Sequence, residues 1–471
     1  GADTVLVEKS RMGGDCLNYG CVPSKALLKA AKVARVARKA EEFGVHTGKV
    51  SVDYERVKAH VSGTQEIIRE HEHADYFRDM GMDVFEEFGE FADPHTIRLS
   101  GGQKISSRLI VLATGSRALV PPIEGAAETG FVTNEEIFTL GKFPNRLIVI
   151  GGGPIGTELG WAHRQLGSEV TIIDASERIL PKDDQDMASV VQQSMEADGV
   201  KFVFSSKADK FEKTDHEKRV RYETKDGQSD WVEGDEILLA VGRRPNIEKL
   251  NLDAVGIKYD KMGITVNASQ QTNLGHVYAV GDVTGGLQFT HAASHEAGTF
   301  IMKAILHLPA KTNYSAFPWC TYTEPELANV GLNETMAKAR GIEYEMATAE
   351  FEHNDRAIAE KQTAGRIKVL IEPSKFFGLA GGHVIGVQIV GPNAGELIHE
   401  YALAIEAGVK ASKLRGMVHA YPTLAEINKT AISNRMKQTT DLPKVRKILG
   451  KLFGFAGIEH PAKGKASGGT A

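Results

Sequence analysis

Two of the chain's three cysteines, Cys16 and Cys21, lie five positions apart in the segment GGDCLNYGCVPSKALL, residues 13–28. A close pair in a chain this poor in cysteine undergoes thiol–disulfide chemistry, binds a metal ion, or packs as two buried structural thiols. A tetrahedral metal site needs further cysteine or histidine ligands, and the segment contains none. Redox chemistry is therefore the expected role, and no metal cofactor is expected.

A helix is predicted after the cysteines, because residues 24–44 (SKALLKAAKVARVARKAEEFG) have apolar side chains at helical spacing and end in glycine. A disulfide requires Cα atoms about 4.4–6.8 Å apart, whereas side chains five positions apart on an ideal helix diverge. The pair is therefore expected on an irregular first turn, which Gly13, Gly14 and Gly20 permit. The helix N-terminus would lower the pKa of a nearby thiol and favour the reactive thiolate.

The chain of 471 residues is 42% hydrophobic and 25% charged, as is typical of a globular protein with about two to four domains. Its net charge is −5 and it has no basic block, so a nucleic-acid partner is not expected. No apolar run approaches the roughly 18 residues of a membrane span, and the first residues lack a signal pattern. A cytoplasmic enzyme is expected.

Residues 443–457 (PKVRKILGKLFGFAG) have basic and apolar residues at the spacing of a helix at a dimer interface or, alternatively, at a membrane surface.

Residues 146–176, RLIVIGGGPIGTELGWAHRQLGSEVTIIDAS, read as a complete βαβ unit. A buried strand at 147–150 leads into three glycines, Gly151, Gly153 and Gly156; a helical stretch follows, and a second buried strand at 170–173 ends in Asp174. In such a unit the glycines let the backbone approach a pyrophosphate at the helix N-terminus, and the acid binds the adenosine ribose. The segment therefore predicts a dinucleotide-binding site.

The first residues, ADTVLVEKS, predict a short buried strand, Thr4 to Val7, that ends at Glu8. In a dinucleotide-binding βαβ unit such an acid ends the second strand, about 20 residues after the glycine fingerprint. We therefore expect that roughly 25 to 35 residues, carrying the first strand and its glycine turn, precede Gly1 in the native gene.

Six segments carry a family resemblance: GGDCLNYGCVPSKAL, LATGS, GGGPIGTELG, AVGRRPN, YAVGDV and HAYPTLAEI. In this order and spacing they resemble the FAD-dependent pyridine nucleotide–disulfide oxidoreductases, which include dihydrolipoyl dehydrogenase, glutathione reductase and mercuric reductase. The resemblance covers about residues 1–453. It implies an α/β fold with two Rossmann-like domains, which bind FAD and NAD(P), and a C-terminal α+β dimerisation domain. It also implies a homodimer in which the partner's C-terminal domain completes the active site.

The same resemblance predicts the domain boundaries. Residues 1–141 would form the FAD-binding domain, 142–264 the NAD(P)-binding domain, 265–312 a return segment of the FAD domain, 313–453 the dimerisation domain and 454–471 a flexible tail. Within the dimerisation domain, GHVIGVQIVGP is predicted as a pair of strands.

By resemblance, Cys16 attacks the substrate while Cys21 faces the flavin. Lys25 would lie near the flavin and pair with Glu158 on the opposite helix, placing positive charge where the reduced cofactor accumulates negative charge. The expected FAD-binding residues are Glu8, Lys25, Gly89, Thr114, Gly115, Asp282 and Thr290. The expected NAD(P)-binding residues are Gly151, Gly153, Gly156, Glu158, Asp174 and Gly242.

The choice between NADH and NADPH depends on the acid of the second βαβ unit. Asp174 favours NADH, because its charge would repel a 2′-phosphate, whereas the nearby Arg178 weakens that inference.

The family pattern breaks near the C-terminus. Relatives that reduce bulky disulfides carry a histidine before the proline of the last motif, where this chain has Tyr421. A phenol of pKa about 10 is a poorer proton shuttle at neutral pH than an imidazole of pKa about 6.5. Glu426, which orients that histidine in the family, is present, and His419 is interpreted as structural. Both Tyr421 and Glu426 are predicted catalytic-site residues.

Tyrosine in this place and the segment NDRAIAE are similar to the mercuric reductase branch, although no cysteine follows Cys320 to form the C-terminal pair of those enzymes. Cys320 is predicted to be a small buried core residue. The resemblance therefore implies an NAD(P)H-dependent flavoenzyme that reduces a metal ion or small disulfide. The alternatives are a dihydrolipoyl dehydrogenase-type enzyme or a flavoprotein of low activity with a binding or regulatory role.

Overall fold

The computed structural model describes residues 3–373, 381–440 and 443–453, which form two compact units. The first unit comprises Gly1–Tyr314 and Cys320–Leu327, and the second comprises Ser315–Trp319 and Ala328–Ala471. The boundaries predicted within the first unit stay predictions, because this division does not separate its parts. The predicted flexible tail, residues 454–471, lies outside the described residues.

The first unit contains most of the secondary structure. Its strands are β1 Val5–Val7, β2 Asp83–Phe85, β3 Gly89–Asp93, β4 Thr96–Leu99, β5 Lys104–Ser106, β6 Ile110–Leu112, β7 Ser116–Ala118, β8 Arg146–Ile150, β9 Glu169–Ile173, β10 Lys201–Val203, β11 Ser206–Lys213, β12 Lys218–Thr224, β13 Ser229–Gly234, β14 Glu236–Leu239, β15 Arg243–Pro245, β16 Tyr259–Asp260, β17 Gly263–Ile264 and β18 Val277–Ala279. Its α-helices are α1 Gly14–Asn18, α2 Cys21–Lys39, α3 Tyr54–Arg69, α4 Ala74–Asp79, α5 Ala126–Thr129, α6 Pro154–Leu166, α7 Gln185–Ala197, α8 Leu252–Val255 and α9 Thr290–Phe300.

The predicted βαβ unit is present as β8, α6 and β9. These strands form a parallel sheet with β10 and β14, in the order β10–β9–β8–β14. The strands read as apolar runs because the sheet is covered on both faces, and Ile148, Val149 and Ile172 are fully buried. The carboxyl ends of β8 and β14 therefore bring the predicted NAD(P)-binding glycines to one edge of the sheet.

Two short parallel pairs lead into the predicted FAD-binding residues. Strand β1 pairs with β2 and is followed by Glu8, and it begins at Val5 rather than at the predicted Thr4. Strand β6 pairs with β18, so that Thr114 and Asp282 follow neighbouring carboxyl ends. The antiparallel pair β7–β15 then joins the segment after Gly115 to the segment after Gly242.

The second unit holds most of a five-stranded sheet, in the order β19–β20–β23–β22–β21. Its strands are β19 Pro318–Thr321, β20 Glu326–Gly331, β21 Glu345–Glu350, β22 Arg366–Ile371 and β23 Val384–Gly391. Its α-helices are α10 Glu334–Ala339, α11 Asp355–Ala359, α12 Ala394–Glu406, α13 Ala411–Gly416, α14 Glu426–Thr440 and α15 Pro443–Phe453. None of the helices in the described segments has the length and apolar composition that a bilayer crossing needs.

The prediction of a strand pair in GHVIGVQIVGP is wrong, because these residues form the single strand β23. Gly386 does not mark a turn there. A Cβ atom at Gly386 would lie 1.7 Å from the carbonyl oxygen of Leu332, so glycine is required for close approach of the neighbouring backbone.

Candidate active site

The two cysteines lie on two different helices. Cys16 is in the short helix α1, and Cys21 is the first residue of α2. The break between the helices is the irregular turn that the sequence predicts. Tyr19 and Gly20 form this break. Gly13 and Gly14 lie at the start of α1, before Cys16, with φ of 86° and 57°, which glycine adopts without strain.

The thiols of Cys16 and Cys21 are both free, and Cys21 is exposed. The Sγ atom of Cys21 lies 3.3 Å from the hydroxyl oxygen of Thr290, the first residue of α9. The structure brings the side chain of Thr290, an expected FAD-binding residue, to the Cys21 thiol, and its flavin contact stays a prediction. The Cys21–Thr290 contact joins residues 269 positions apart in the chain.

The pKa values of the two thiols are shifted in opposite directions. A hydrogen bond from the Cys16 thiol lowers the pKa of Cys21 to about 6; burial opposes this shift, and Thr290 and the charge of Lys25 reinforce it. The same bond holds the proton on Cys16 and, together with burial, raises the pKa of Cys16 far above its ordinary value. These opposite shifts favour the thiolate on Cys21 and the thiol on Cys16.

Lys25 and Glu158 form the predicted ion pair between α2 and α6, with 2.9 Å between Nζ and Oε2. Burial alone lowers the pKa of Lys25, but the charge and hydrogen bond of Glu158 outweigh it and the pKa is raised. The other carboxylate oxygen of Glu158 accepts a hydrogen bond of 2.9 Å from the backbone N–H of Tyr322, whose ring centroid lies 4.5 Å from the ammonium. The ammonium is thus fixed one helical turn after Cys21.

A polar network that was not predicted lies next to Cys16. Arg243 pairs with Asp15 at 3.1 Å and donates to the hydroxyl of Ser116 at 2.7 Å. That hydroxyl in turn donates to the carboxylate of Asp282 at 2.5 Å. The network fixes Asp282, a predicted FAD-binding residue, relative to the helix that carries Cys16. The sequence could have indicated these residues only through the family motifs, because they belong to GGDC, LATGS, AVGRRPN and YAVGDV.

Thr114 and Gly115 are held by the loop after β15. The hydroxyl of Thr114 donates to the carbonyl of Asn246 at 2.7 Å, and the amide of Asn246 donates back to the carbonyl of Thr114 at 2.9 Å. Gly115 has φ of 67°, and a Cβ atom there would have no other atom within 4 Å. The backbone at this position is therefore open to a ligand.

The glycine turn after β8 has the geometry that a pyrophosphate requires. A Cβ atom at Gly151 would lie 2.4 Å from the Ala240 carbonyl oxygen, and one at Gly156 would lie 1.9 Å from the Gly151 carbonyl oxygen. Gly153, the N-cap of α6, has open space instead. The outer glycines thus permit tight packing, and the middle one leaves the helix N-terminus accessible to phosphate. Gly242, at φ of 140°, follows the neighbouring strand β14.

Asp174 and Arg178 have different surroundings. The carboxylate of Asp174 accepts from the N–H groups of Gly152 at 2.5 Å and Ser176 at 2.6 Å, which places it beside the glycine turn. The guanidinium of Arg178 donates to four backbone carbonyls, at distances from 2.6 to 3.2 Å: those of Ile179, Leu180, Pro181 and Asp183. Arg178 therefore holds its own loop together.

The remaining predicted FAD residues differ in their surroundings. Glu8 lies at the end of β1, where its carboxylate accepts from the N–H of Ser10 at 2.8 Å. Gly89 is explained by packing, because a Cβ atom there would meet Ile97 at 2.9 Å and Val7 at 3.3 Å.

Tyr421 lies in the second unit and is 71% exposed. Its hydroxyl donates a hydrogen bond of 2.8 Å to Asp355, the first residue of α11. This bond and the charge of Asp355 raise the pKa of Tyr421 above its usual value, so the phenol keeps its proton at neutral pH. Glu426 instead accepts a long hydrogen bond, 3.4 Å, from the N–H of Thr423. Asp355 was not singled out from the sequence, although it belongs to the segment NDRAIAE.

His419 is held inside the second unit, with 5% of its side chain exposed. Its Nε2 lies 3.2 Å from a carboxylate oxygen of Glu400, and the same oxygen accepts a hydrogen bond of 2.8 Å from the Asn428 amide. This arrangement agrees with the structural interpretation of His419.

The prediction that Cys320 is a core residue is wrong, because its side chain is only half-buried. It lies on β19, the edge strand of its sheet, where side chains are incompletely covered. Burial, with the charges of Glu326 and Glu158, raises the pKa of Cys320 well above its ordinary value. The raised pKa disfavours the reactive thiolate form of Cys320.

These arrangements fit the two predicted cofactors. The open turn at Gly153, beside Asp174, matches the phosphate and ribose of a nicotinamide dinucleotide. The open backbone at Gly115, the fixed carboxylate of Asp282 and the exposed thiol of Cys21 match the ring end of a flavin. The arrangement can thus hold a nicotinamide, a flavin and a thiol pair in sequence.

Comparison with protein families gives two matches. Residues 1–297 match the model described as pyridine nucleotide-disulphide oxidoreductase, and residues 317–432 match the dimerisation domain of that family.

Two curated relatives carry different names. A mercuric reductase from Lysinibacillus sphaericus is 33% identical over 427 residues, covering 90% of this chain and 77% of that protein. A dihydrolipoyl dehydrogenase from Geobacillus stearothermophilus is 34% identical over 439 residues, covering 91% and 90%.

Solved structures share the fold. The Cu(II) complex of the HOCl-induced flavoprotein disulfide reductase RclA from Escherichia coli has a TM-score of 0.80 at 24% identity, covering 92% of this chain and 94% of that one. LpdA from Mycobacterium tuberculosis has a TM-score of 0.80 at 26% identity, covering 92% and 93%.

Proposed function

The chain belongs to the pyridine nucleotide-disulphide oxidoreductase family, and on this premise we propose that Cys16 and Cys21 pass an electron pair from a reduced nicotinamide to a small acceptor. It is an oxidoreductase that uses FAD and NAD(P)H, as this family does. Bound FAD supplies the chemistry that converts a hydride from NAD(P)H into an electron pair for a disulfide. The chain's own residues hold the cofactors and set the protonation of the two sulfur atoms.

The observation that carries the proposal is the placement of the exposed Cys21 thiol at the start of α2, 3.3 Å from the Thr290 hydroxyl and one helical turn before the Lys25–Glu158 ion pair. Reduction of a Cys16–Cys21 disulfide by two electrons and one proton breaks the S–S bond and leaves one thiol and one thiolate. The lowered pKa of Cys21 and the raised pKa of Cys16 favour the negative charge on Cys21 and the proton on Cys16. Lys25, fixed by Glu158, compensates the charge. The structure therefore suits the two-electron reduced form of the pair.

We propose a soft metal ion of the Hg(II) class as the acceptor. A disulfide acceptor needs a proton donor for its leaving thiolate, and the imidazole that fills this role in relatives is replaced by Tyr421. Its raised pKa makes Tyr421 a weak acid and its proton already points to Asp355. A soft metal ion needs no such donor, because it displaces the thiol proton of Cys16 as it binds sulfur. NAD(P)H and a divalent ion would then yield NAD(P)⁺, a proton and the reduced metal.

A dihydrolipoamide-type disulfide is the second candidate acceptor. It is favoured by the dihydrolipoyl dehydrogenase that is 34% identical over 91% of the chain. It requires a replacement base, and His419 is the nearest candidate in sequence, but its imidazole is buried against Glu400. A flavoprotein of low activity, with a binding or regulatory role, is the remaining alternative.

We propose NADH as the preferred donor. Asp174 lies beside the glycine turn, where its charge would repel a 2′-phosphate. Arg178 does not offset that repulsion, because its guanidinium donates to four carbonyls of its own loop.

We also propose a cytoplasmic homodimer in which the second unit of the partner subunit completes the substrate site, in line with the matched dimerisation domain.

An acceptor screen tests the proposed function. The FAD-loaded protein is supplied with NADH and, in separate reactions, with Hg(II), lipoamide and quinones. We expect NADH oxidation that depends on Hg(II). The variants Cys16→Ser and Cys21→Ser should lose this activity, and Cys320→Ser should retain it. Turnover with lipoamide that disappears in His419→Ala would instead establish the disulfide acceptor. Turnover that survives both active-site serine variants would contradict a thiol mechanism, and its absence with every acceptor would support the regulatory alternative.

A further inference from the structure

A cavity of about 360 Å³ lies where the C-terminal ends of helices α2, α6 and α7 meet, away from the thiol pair. Its walls carry four cations, Arg35, Arg38 and Lys39 of α2 and Arg164 of α6, against one carboxylate, Asp198. The residues that line it belong to the first unit. None of them has a place in the redox mechanism.

Only one of the four cations is neutralised by a carboxylate within the described residues. Arg35 pairs with Asp198 at 3.0 Å and with Glu324 at 3.3 Å. Arg164 donates only to the carbonyls of Asp198 and Ser168. Three positive charges therefore surround the cavity without a carboxylate of their own.

Helix C-termini attract cations, and this attraction accounts for part of the cluster. It accounts for Arg164, and for the single hydrogen bond of 2.5 Å from Nη2 of Arg38 to the carbonyl of Gln165. This attraction does not account for the Nε and Nη1 groups of Arg38 or for the ammonium of Lys39. These groups have no protein acceptor in the described part of the chain. Partial burial and the charge of Arg164 lower the pKa of Arg38, and the charge of Asp198 opposes this shift.

We propose that this cavity binds a small phosphate-bearing anion, either free phosphate or a phosphomonoester. A guanidinium presents paired N–H groups that match two phosphate oxygens, and a lysine adds a mobile point charge. A dianion offsets two of the three positive charges of Arg38, Lys39 and Arg164. The volume is at the low end for ligand pockets, which suits a small ester rather than a dinucleotide.

The position of the cavity links it to the redox helices. Helix α2 carries Cys21 and Lys25 at its start and Lys39 at its end, which is about 27 Å from Cys21 and about 21 Å from Lys25 along the helix axis at 1.5 Å per residue. Helix α6 begins beside Gly153, carries Glu158 and reaches the cavity with Arg164. A bound phosphate would join these two helices at the end opposite to the Lys25–Glu158 bridge.

Thermal unfolding tests the site. The FAD-loaded protein is saturated with NAD⁺, so that both dinucleotide sites are filled, and is titrated with inorganic phosphate or glycerol 3-phosphate at constant ionic strength. Either probe at about 10 mM is expected to raise Tm by about 1–3 °C relative to chloride. A larger rise in Tm with glycerol 3-phosphate than with inorganic phosphate indicates a phosphomonoester site. A larger rise with inorganic phosphate indicates a site for free phosphate.

The variant Arg38→Gln/Lys39→Gln is expected to lose this shift, because both side chains are exposed and line the cavity. The variant Lys29→Gln/Arg108→Gln removes the same charges from exposed positions outside the cavity and should retain it. Should the double variant fold poorly, Lys39→Gln alone should weaken phosphate binding in isothermal titration calorimetry at least threefold. Equal shifts with chloride and phosphate in the parent, or equal loss in both double variants, would overturn the proposal.

Discussion

The thiol segment and the Tyr421 segment differ in how far they follow their family. Around Cys16 and Cys21, Lys25 retains its partner Glu158 and the thiols have unequal pKa values. Around Tyr421, the expected imidazole is replaced by a phenol that donates to Asp355. The ion pair expected from the family is therefore present beside the thiols, whereas the residue before the last proline differs from the expected histidine. Under the proposed function, this difference predicts that the electron-donor side is retained and that the acceptor differs from a bulky disulfide.

The largest expected effect lies on the thiol side. Cys21→Ser cannot form the disulfide and should reduce NADH-dependent acceptor turnover at least about 10³-fold. Stopped-flow absorbance should show that NADH still reduces the flavin in this variant. Cys320→Ser is the matched control, since its thiol has a strongly raised pKa. Equal losses in the two variants would remove the distinction between reactive and inert cysteines.

The next effect is a gain on the Tyr421 side. Tyr421→His should increase lipoamide turnover about 10²-fold, because an imidazole near pKa 6.5 can exchange protons at neutral pH. The steady-state rate with lipoamide and NADH measures this. Tyr421→Phe serves as the control and should give no gain. If the parent already turns lipoamide over as fast as the histidine variant, the acceptor side has not changed and the comparison fails.

The ion pair between α2 and α6 should matter less than the thiol. Glu158→Gln removes the charge that supports Lys25 and should slow flavin reduction by NADH about 10- to 50-fold. Rapid-mixing absorbance under anaerobic conditions gives the rate. Glu55→Gln, an exposed member of a surface pair, should leave it unchanged. An unaltered rate in Glu158→Gln would mean that the pair is only structural.

The pKa of Cys21 predicts a pH dependence for the reduced enzyme. Its thiolate form prevails above a pKa of about 6 and is lost as the pH falls through that value. The alkylation rate of Cys21 by iodoacetamide should therefore be constant from pH 7 to 8 and about tenfold lower at pH 5. Mass spectrometry of the labelled peptide separates it from Cys16, which should react slowly throughout because its pKa is raised. Equal labelling of both cysteines at pH 7 would contradict the unequal protonation.

The smallest effect concerns the nicotinamide dinucleotide. Asp174→Ala should reduce the preference for NADH over NADPH about threefold to tenfold, because the charge beside the ribose is removed. The ratio of kcat/KM values for the two donors measures the change. Arg178→Gln should leave that ratio unchanged and lower Tm, since Arg178 holds its loop. A greater effect of Arg178→Gln on the ratio would assign 2′-phosphate recognition to the arginine.

Local sequence patterns predicted those parts of the structure that depend on local chain geometry. The βαβ unit at 146–176 and the turn between Cys16 and Cys21 follow from spacing and glycine content. Contacts between distant segments had no local signal, such as Thr290 against Cys21 or Arg243 between Asp15 and Ser116.

The errors have the same physical origin. The segment GHVIGVQIVGP was predicted as a strand pair but forms one strand, because Gly386 is required by the close approach of the Leu332 backbone, and a glycine required for packing has the same local pattern as a glycine in a turn. The Asp355 partner of Tyr421 was missed because the two residues are 66 positions apart, and a hydrogen bond across that separation leaves no periodicity in the sequence.

The central claim is that electrons from NADH end on Cys16 and Cys21. The most direct measurement is thiol mapping of the oxidised, FAD-loaded protein before and after anaerobic addition of one equivalent of NADH. Iodoacetamide labelling of the quenched and unfolded protein, in which all thiols are accessible, followed by mass spectrometry, should show two new thiols, at positions 16 and 21, with Cys320 equally labelled in both samples. Reduction of the flavin without a new thiol at either position would contradict the claim.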